Sequence, residues 1–183
     1  MAHPLASTQA GLVGLALLGL LGSCASLSEE ACRGGDWSAI GAADGAKGRQ
    51  TDFLSKHAEA CGQYGISPDL AEWEVGRRQG LAQYCTPANV YAEGTRGRSL
   101  SPVCPATEVE RLAAAHETGR QYWRLERRIE RLESDLRDIR RLTLHDESDE
   151  IDRGALLLKE LRIRNEILSL RARQREFDRP PPV

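Results

Sequence analysis

Residues 36–49 read DWSAIGAADGAKGR, a segment that begins like a helix but carries three glycines on one face. Asp36 stands where a helix N-cap would stand, and Gly41, Gly45 and Gly48 follow at spacings of four and three residues. Residues at such spacings lie one above the other, so the glycines leave a strip of helix without side chains. Each glycine inside a helix costs roughly 1 kcal/mol relative to alanine. The pattern therefore indicates that something approaches this backbone closely.

A second segment, DLAEWEVGRRQGLAQYC at residues 69–85, repeats the combination of one aromatic residue with two glycines. Faces of small residues let two helices approach closely, a geometry best known inside membranes. We therefore predict that the glycines are packing devices in a small helical core, with Trp37 and Trp73 filling the space beside them. The alternative hypothesis is a ligand groove along the backbone. Its candidate lining residues are Trp37, Gly41, Asp44, Gly45, Trp73, Gly76 and Gly80.

The sequence lacks the familiar motifs of catalysis and cofactor binding. Neither G-x4-G-K-[ST] nor G-x-G-x-x-G occurs, and no H-x-x-x-H or H-E-x-x-H spacing indicates a metal site. Asp36 and Asp44 would suit acid–base chemistry as a pair, but Asp36 is better explained as a helix cap. The formal net charge of −2 argues against nucleic acid as a partner. We expect no catalytic residue, metal or cofactor, and the sequence favours a protein that is not an enzyme without deciding the matter.

The N-terminus contains an uncharged apolar run, GLVGLALLGLLGSC, over residues 11–24. The run is shorter than the roughly 20 residues of a spanning helix and is typical of a secretory signal peptide. Its end, LGSC, resembles the lipobox of bacterial lipoproteins, although no Lys or Arg precedes the run. We predict a signal peptide over 1–23 and acylation of Cys24, palmitate included, with Ala25 favouring the outer membrane. The alternatives are an ordinary secretion signal and a buried N-terminal helix.

Four cysteines remain once Cys24 is set aside. An even number of cysteines in an oxidising compartment indicates two disulfides, and four cysteines allow three pairings. We favour Cys32–Cys61 and Cys85–Cys104, because sequence-near pairs close the shorter loops. The alternatives are a zinc site, whose ligands are usually closer together than these cysteines, and a catalytic thiol.

From residue 106 the composition changes, because cysteine disappears and Arg, Glu and Leu dominate. Apolar residues then alternate three and four apart in two runs, the a/d pattern of a coiled coil. The first seam is Tyr122, Leu125, Ile129, Leu132, Leu136 and Ile139, and the second is Ile151, Gly154 or Ala155, Leu158, Leu161, Asn165 and Leu168. We predict an antiparallel helical hairpin that turns at about 143–149. The alternative is that these helices pair between two chains of a homodimer.

Together these patterns predict a mainly α fold in which a small disulfide-stapled helical module precedes a long antiparallel helical hairpin, a coiled coil. The predicted divisions are a signal peptide over 1–23, a leader over 24–35, a glycine- and cysteine-rich helical module over 36–105, the hairpin over 106–178 and a disordered tail over 179–183.

The order of glycines and cysteines in this chain resembles that of a known family. The residues that carry the resemblance are Cys32, Asp36-Trp37, Gly41, Asp44-Gly45, Gly48, Cys61, Pro68-Asp69, Gly76, Gly80-Leu81, Tyr84-Cys85, Gly94, Gly97 and Cys104-Pro105. They are similar to the bacterial lipoprotein family called "domain of unknown function 2799", over about residues 25–125. The resemblance implies a lipoprotein signal, in agreement with Cys24. It implies no activity and no catalytic residue.

The sequence therefore predicts an outer-membrane lipoprotein on the periplasmic side, attached to the membrane through its lipid. Its expected role is a non-enzymatic structural or protein-interaction module whose hairpin meets an envelope protein partner. The alternative is a periplasmic ligand-binding protein or enzyme that uses the glycine-lined groove near Trp37, Asp44 and Trp73.

Overall fold

The computed structural model of the protein describes residues 26–145 and 150–181. The predicted signal peptide and Cys24 lie outside the described residues. Of the turn predicted at about 143–149, residues 146–149 also lie outside them, and residues 143–145 belong to the last turn of a helix instead. Within the described ranges the fold is helical and contains no β-strand, as predicted. None of the helices described is both long and apolar enough to cross a bilayer. The helices are α1 (Glu29–Gly34), α2 (Trp37–Ala46), α3 (Leu54–Gly62), α4 (Leu70–Tyr84), α5 (Pro87–Thr95), α6 (Val109–His145) and α7 (Glu150–Gln174), and 3-10 turns lie at Thr51–Phe53, Ala106–Glu108 and Arg175–Phe177.

Carboxylate caps fix where the two glycine-bearing helices begin. Asp36 caps α2 by accepting a hydrogen bond from the Ala39 amide at 2.9 Å. Asp69 caps α4 in the same way, accepting from the Glu72 amide at 3.0 Å. Each cap satisfies an amide that the first helical turn leaves without a partner. The negative charge of each carboxylate also interacts favourably with the positive end of the helix dipole.

Helices α2 and α4 run parallel and cross so closely that glycines of one helix face the backbone of the other. A Cβ added at Gly41 would overlap the carbonyl oxygen of Trp73, and one at Gly80 would overlap that of Ala42. No side chain fits between the helices, so the glycines set the distance between them. The glycines of this contact are Gly41, Gly45, Gly76 and Gly80.

Helix α5 makes a second close contact, with the first half of α6. A Cβ at Gly94 would overlap the carbonyl oxygen of His116, and one at Gly119 would overlap that of Tyr91. The composition changes at residue 106 because the long helix α6 begins soon after it. The first half of α6 still packs against α5, so the close packing of the module extends past this change. The buried side chains between α5 and α6 are Val90, Leu112 and Ala115.

Two disulfides link Cys32 to Cys61 and Cys85 to Cys104, which is the predicted pairing. Cys32 and Cys85 each precede the first helix of a close pair, α2 or α5. Their partners Cys61 and Cys104 lie in the segment that connects that helix to the second helix of the pair. The first bridge is buried together with Trp37. Each disulfide thus restrains the connection that a pair of parallel helices needs.

The second half of α6 lies antiparallel to α7. Arg128 bonds to Glu166 at 2.8 Å, and further along α6 Arg140 bonds to Glu160 at 3.1 Å, so the pairing runs in opposite directions. The buried apolar cluster between the two helices consists of Ile129, Leu132, Leu136, Ile139, Ile163 and Ile167. The first predicted seam supplies its half of this cluster through four isoleucine and leucine residues.

The second predicted seam was wrong. Helix α7 turns Ile163 and Ile167 toward α6, while Leu158, Leu161 and Leu168 face solvent with 66%, 55% and 63% of their surface exposed. Helix α7 is apolar on two faces, and three-and-four spacing fits both of them. Periodicity alone therefore could not decide which face meets α6.

Candidate functional site

The candidate groove around the glycine faces is occupied by the helices themselves. All seven residues predicted to line it are buried, and Trp37 and Trp73 are 5% and 0% exposed. The structure brings these residues together, but as the interior of the contact between α2 and α4. A shallow cavity of 420 Å³ lies near the starts of both helices instead. Its lining residues are Asp36, Ser38, Ala71, Glu72 and Val75.

Asp44 is the centre of a buried polar cluster. Its Oδ2 accepts a hydrogen bond from the indole Nε1 of Trp73 at 3.0 Å and lies 2.7 Å from Nε2 of His57. The other ring nitrogen of His57, Nδ1, lies 2.9 Å from Oγ of Ser26. The Ser26 hydroxyl donates to the carbonyl of Lys56 at 2.8 Å. Four separate segments of the polypeptide therefore meet in one hydrogen-bond network.

The direction of these hydrogen bonds follows from Ser26. Because its hydroxyl proton goes to a backbone carbonyl, its oxygen accepts from Nδ1–H of His57. A proton also lies between Nε2 of His57 and the carboxyl group of Asp44, since neither atom can approach the other at 2.7 Å without one. His57 and Asp44 are only 2% and 5% exposed, so each needs the other as a partner away from water.

The order serine, histidine and aspartate is that of a hydrolase triad, but the surroundings favour a structural role. A nucleophilic serine gives its proton to the histidine, whereas Ser26 gives its proton to Lys56. The ring of Phe53 also stands edge-on against His57, with the ring centres 5.2 Å apart. The cluster holds the segment before α1 against the module. Within the described residues, no three His, Cys, Asp or Glu side chains are arranged to hold a metal ion.

A seven-residue motif that was not predicted from the sequence occurs twice. Residues 43–49 read ADGAKGR and residues 92–98 read AEGTRGR, so both have alanine, an acid, glycine, any residue, a base, glycine and arginine. The first glycine of each motif, Gly45 or Gly94, lies in the close helix contact. Alignment of the two heptapeptides would have revealed the repeat.

The second glycine of each motif ends its helix in a left-handed conformation. Gly48 has φ +67° and Gly97 has φ +75°, values that glycine adopts at little cost. A Cβ at Gly48 would meet the ring of Tyr84, and one at Gly97 would meet the ring of Trp123. Both glycines are therefore required by conformation and by space.

The arginine that closes each motif bonds to the second helix of its pair through its backbone carbonyl. The carbonyl of Arg49 accepts from the Arg77 guanidinium at 3.0 Å, and that of Arg98 accepts from Nε2 of His116 at 2.8 Å. The chain thus contains one two-helix design twice. We call α2 with α4 the first unit, and α5 with residues 109–123 of α6 the second unit.

A polar cavity of 390 Å³ lies where the motif loops of the two units meet. Its lining groups carry both signs of charge, so it selects neither an anion nor a cation. Its charged lining residues are Lys47, Arg49, Asp52, Glu93 and Arg98.

A row of exposed side chains, three of them leucines, lies along α7, and we call it the outward stripe. It consists of Leu158, Leu161, Asn165 and Leu168, which share one face at spacings of three, four and three residues. Apolar side chains so exposed in one row are typical of a surface that binds another molecule. The outward stripe is the second seam of the sequence, turned away from α6.

Residues 36–121 match the model of a family described as "Protein of unknown function (DUF2799)". The match confirms the resemblance indicated by the order of glycines and cysteines, and it spans the first unit and nearly all of the second. This segment is therefore similar to that family, while α7 and the outward stripe lie beyond it. No curated protein and no solved structure matches the chain.

Proposed function

We propose that this protein is a lipid-anchored envelope lipoprotein, facing the periplasm from the outer membrane, that acts as a non-enzymatic protein-interaction module. The outward stripe is the observation that carries the interaction role. It presents three leucines that are each more than half exposed, on a helix whose opposite face is already buried against α6. The two units serve as the rigid base that holds this surface.

The lipid anchor is supported by the LGSC sequence that ends at Cys24 and by the disulfides. Two structural disulfides are stable in an oxidising compartment such as the periplasm and are rare in the cytosol. The cysteine that remains is the one in the lipobox, where its thiol would carry the acyl glycerol group. Anchoring by more than one acyl chain is stable, whereas a single chain binds only marginally.

An enzymatic or ligand-binding role at the glycine faces lacks the support of an opening. The seven groove residues are buried, and His57 and Trp73 both bond to Oδ2 of Asp44. A ligand would have to separate α2 from α4, which removes the contact that folds the first unit. We therefore do not propose this alternative.

The first experiment is the intact mass of the protein purified from membranes without reductant, measured again after reduction. We expect a mass that corresponds to cleavage before Cys24 plus acyl groups, and a gain of four hydrogens on reduction. An unlipidated mass would contradict the anchor, and a mass unchanged by reduction would contradict the disulfides.

The interaction role is tested in intact cells with a photo-crosslinking amino acid placed at Leu161. The control position is Gln79, which is exposed on α4 of the first unit. We expect a discrete protein adduct from position 161 and none from position 79. Truncation after residue 105 is not a suitable test, because it would remove α6 and expose Val90, which α6 buries completely. Absence of an adduct at position 161 would contradict an interaction role for α7.

A further inference from the structure

The flanks of the outward stripe carry positive charge. With Leu158 and Leu161 in the a and d positions of a heptad, Arg162 occupies an e position, and Arg164 and Arg171 occupy g positions. Over residues 153–175 the chain has seven basic and two acidic residues, and neither acid lies at an e or g position. A partner that packs on the stripe would therefore meet arginines along both sides of the leucines.

Two of these arginines are held in place by ion pairs beside the stripe. Arg164 bonds to Glu160 at 2.5 Å, and Arg171 bonds across to Glu133 of α6 at 2.6 Å. Both arginines remain about half exposed, so their guanidinium groups have donors free for a second carboxylate. The fork geometry of arginine suits bidentate bonds to carboxylates.

A second copy of this chain fits the stripe poorly. Charged e and g positions set partner choice in coiled coils, because opposite charges across the seam attract and like charges repel. A second α7 would bring arginines to arginines and no acid at any flanking position. The charge pattern thus disfavours a homodimer through this face.

A lipid surface also fits the stripe less well than a helix does. Asn165 lies in the middle of the stripe and divides its leucines, whereas a helix that lies in a membrane interface has a broad apolar face, commonly with Trp or Phe. No aromatic residue occurs between residues 153 and 175. An asparagine at an a position is instead a feature that sets register between paired helices.

We infer that the outward stripe binds an amphipathic helix of another protein, with leucine-type residues in its seam and acidic residues on its flanks. This inference deepens the proposed interaction function and rests on it. The incoming helix would pack on the side of α7 that faces away from α6, with its acids pairing to Arg162, Arg164 and Arg171. Register would be fixed by a polar residue opposite Asn165.

The test uses two synthetic four-heptad peptides that differ only in their flanking charge. Both have Leu at a and d with one central Asn at a, and one has Glu while the other has Lys at every e and g position. Binding to the full chain, as purified from membranes and held in nanodiscs of zwitterionic lipid, is measured by fluorescence anisotropy. We expect the Glu peptide to bind at least about tenfold more tightly, a difference of roughly 1.4 kcal/mol. The assay is equally valid for an unlipidated chain, so its failure is distinguishable from failure of the anchor.

Three variants make the test specific. The triple variant Leu158→Ser, Leu161→Ser and Leu168→Ser should lose binding of the Glu peptide, whereas Leu70→Ser, at an exposed leucine of the first unit, should not. The variant Arg162→Glu, Arg164→Glu and Arg171→Glu should prefer the Lys peptide instead. Circular dichroism checks that each variant keeps its helix content.

Several outcomes would overturn the inference. Equal binding of both peptides, or binding that survives the triple leucine variant, would show that the stripe and its flanks do not select an acidic helix. Self-association of the wild-type chain that the leucine variant abolishes would assign the stripe to a second copy. Binding of vesicles rich in anionic phospholipid that is lost in the same variant would assign it to the membrane.

Discussion

The first and second units share a backbone design but use the acid of their common motif in different ways. In the first unit Asp44 points inward and bonds to His57 and Trp73. In the second unit the corresponding Glu93 lines the polar cavity and bonds to Arg96 and Arg98 at 2.9 Å, two arginines whose side chains are more than half exposed. The repeated feature is therefore the glycine contact and its left-handed turn, and the acid is free to serve another purpose.

The largest effect is expected where the two units are the same. Replacing Gly45 or Gly94 by alanine would drive a methyl group onto a backbone carbonyl oxygen of the partner helix. Backbone cannot move aside as a side chain can, so we expect each substitution to destabilise the fold by more than about 4 kcal/mol or to prevent folding. Thermal unfolding followed by circular dichroism measures the effect.

Matched glycines provide the control for that prediction. Gly62 and Gly154 are helical residues with nothing within 4 Å of an added Cβ. Alanine at either position should leave stability unchanged or raise it by up to about 1 kcal/mol. A Gly45→Ala protein as stable as these controls would refute close helix contact as the basis of both units.

The disulfides offer a second comparison between the units. Removing Cys32–Cys61 or Cys85–Cys104 by paired serine substitution should lower stability by roughly 3 to 4 kcal/mol in either case on the loop-entropy model. The first bridge spans 29 residues and the second spans 19, so the first loss should be slightly larger. Urea unfolding of both variants gives the two values. A second bridge that proves clearly more important than the first would contradict a common role.

Replacing the motif acid should cost more stability in the first unit than in the second. We expect Asp44→Asn to cost about 2 to 3 kcal/mol, because His57 is then left buried without its charge-assisted partner. Glu93→Gln should cost less than about 1 kcal/mol, because its arginine partners are more than half exposed to solvent. Equal losses in urea unfolding would show that the two acids have the same role after all.

Hydrogen exchange adds a readout that global stability does not supply. In Asp44→Asn, amides of α1 should exchange faster than in the wild type, because Ser26 and His57 no longer hold this segment. In Glu93→Gln the exchange of these amides should not change. Unaltered exchange in Asp44→Asn would mean that the cluster does not hold the segment.

The smallest effect concerns pH in the first unit. Hydrogen bonds from Arg77 hold the pKa of Glu74 below its ordinary value of 4.5, and partial burial opposes this shift. A carboxylate whose pKa is lowered by folding stabilises the fold above its ordinary pKa, and the contribution disappears as the pH falls through the folded pKa. Glu74→Gln should therefore cost less than about 1 kcal/mol at neutral pH and nothing in strong acid. Unfolding free energies measured across that range check the sign, which a constant difference would contradict.

Local features of the sequence were sufficient to predict the parts of the fold that depend on neighbours along the chain. Asp36 was recognisable as a cap, and the disulfide pairing followed from short loops. The partner of Asp44 was not predictable, because His57 belongs to a separate helix and no spacing connects the two. The orientation of α7 failed for another reason, since its two apolar faces satisfy the same periodicity. The repeat of the two units, by contrast, was present in the sequence as ADGAKGR and AEGTRGR.

The hydrogen bond from Ser26 to Lys56 has a consequence for how far this protein can reach. Ser26 is only two residues beyond Cys24, and two extended residues span at most about 7 Å. Under the proposed lipidation of Cys24, Ser26 would therefore lie within about 7 Å of the anchored residue, which would hold the first unit close to the lipid headgroups. The 37 residues of α6 measure about 55 Å as a helix. Under the proposed anchoring, a partner would have to come within about the length of α6 from the membrane surface.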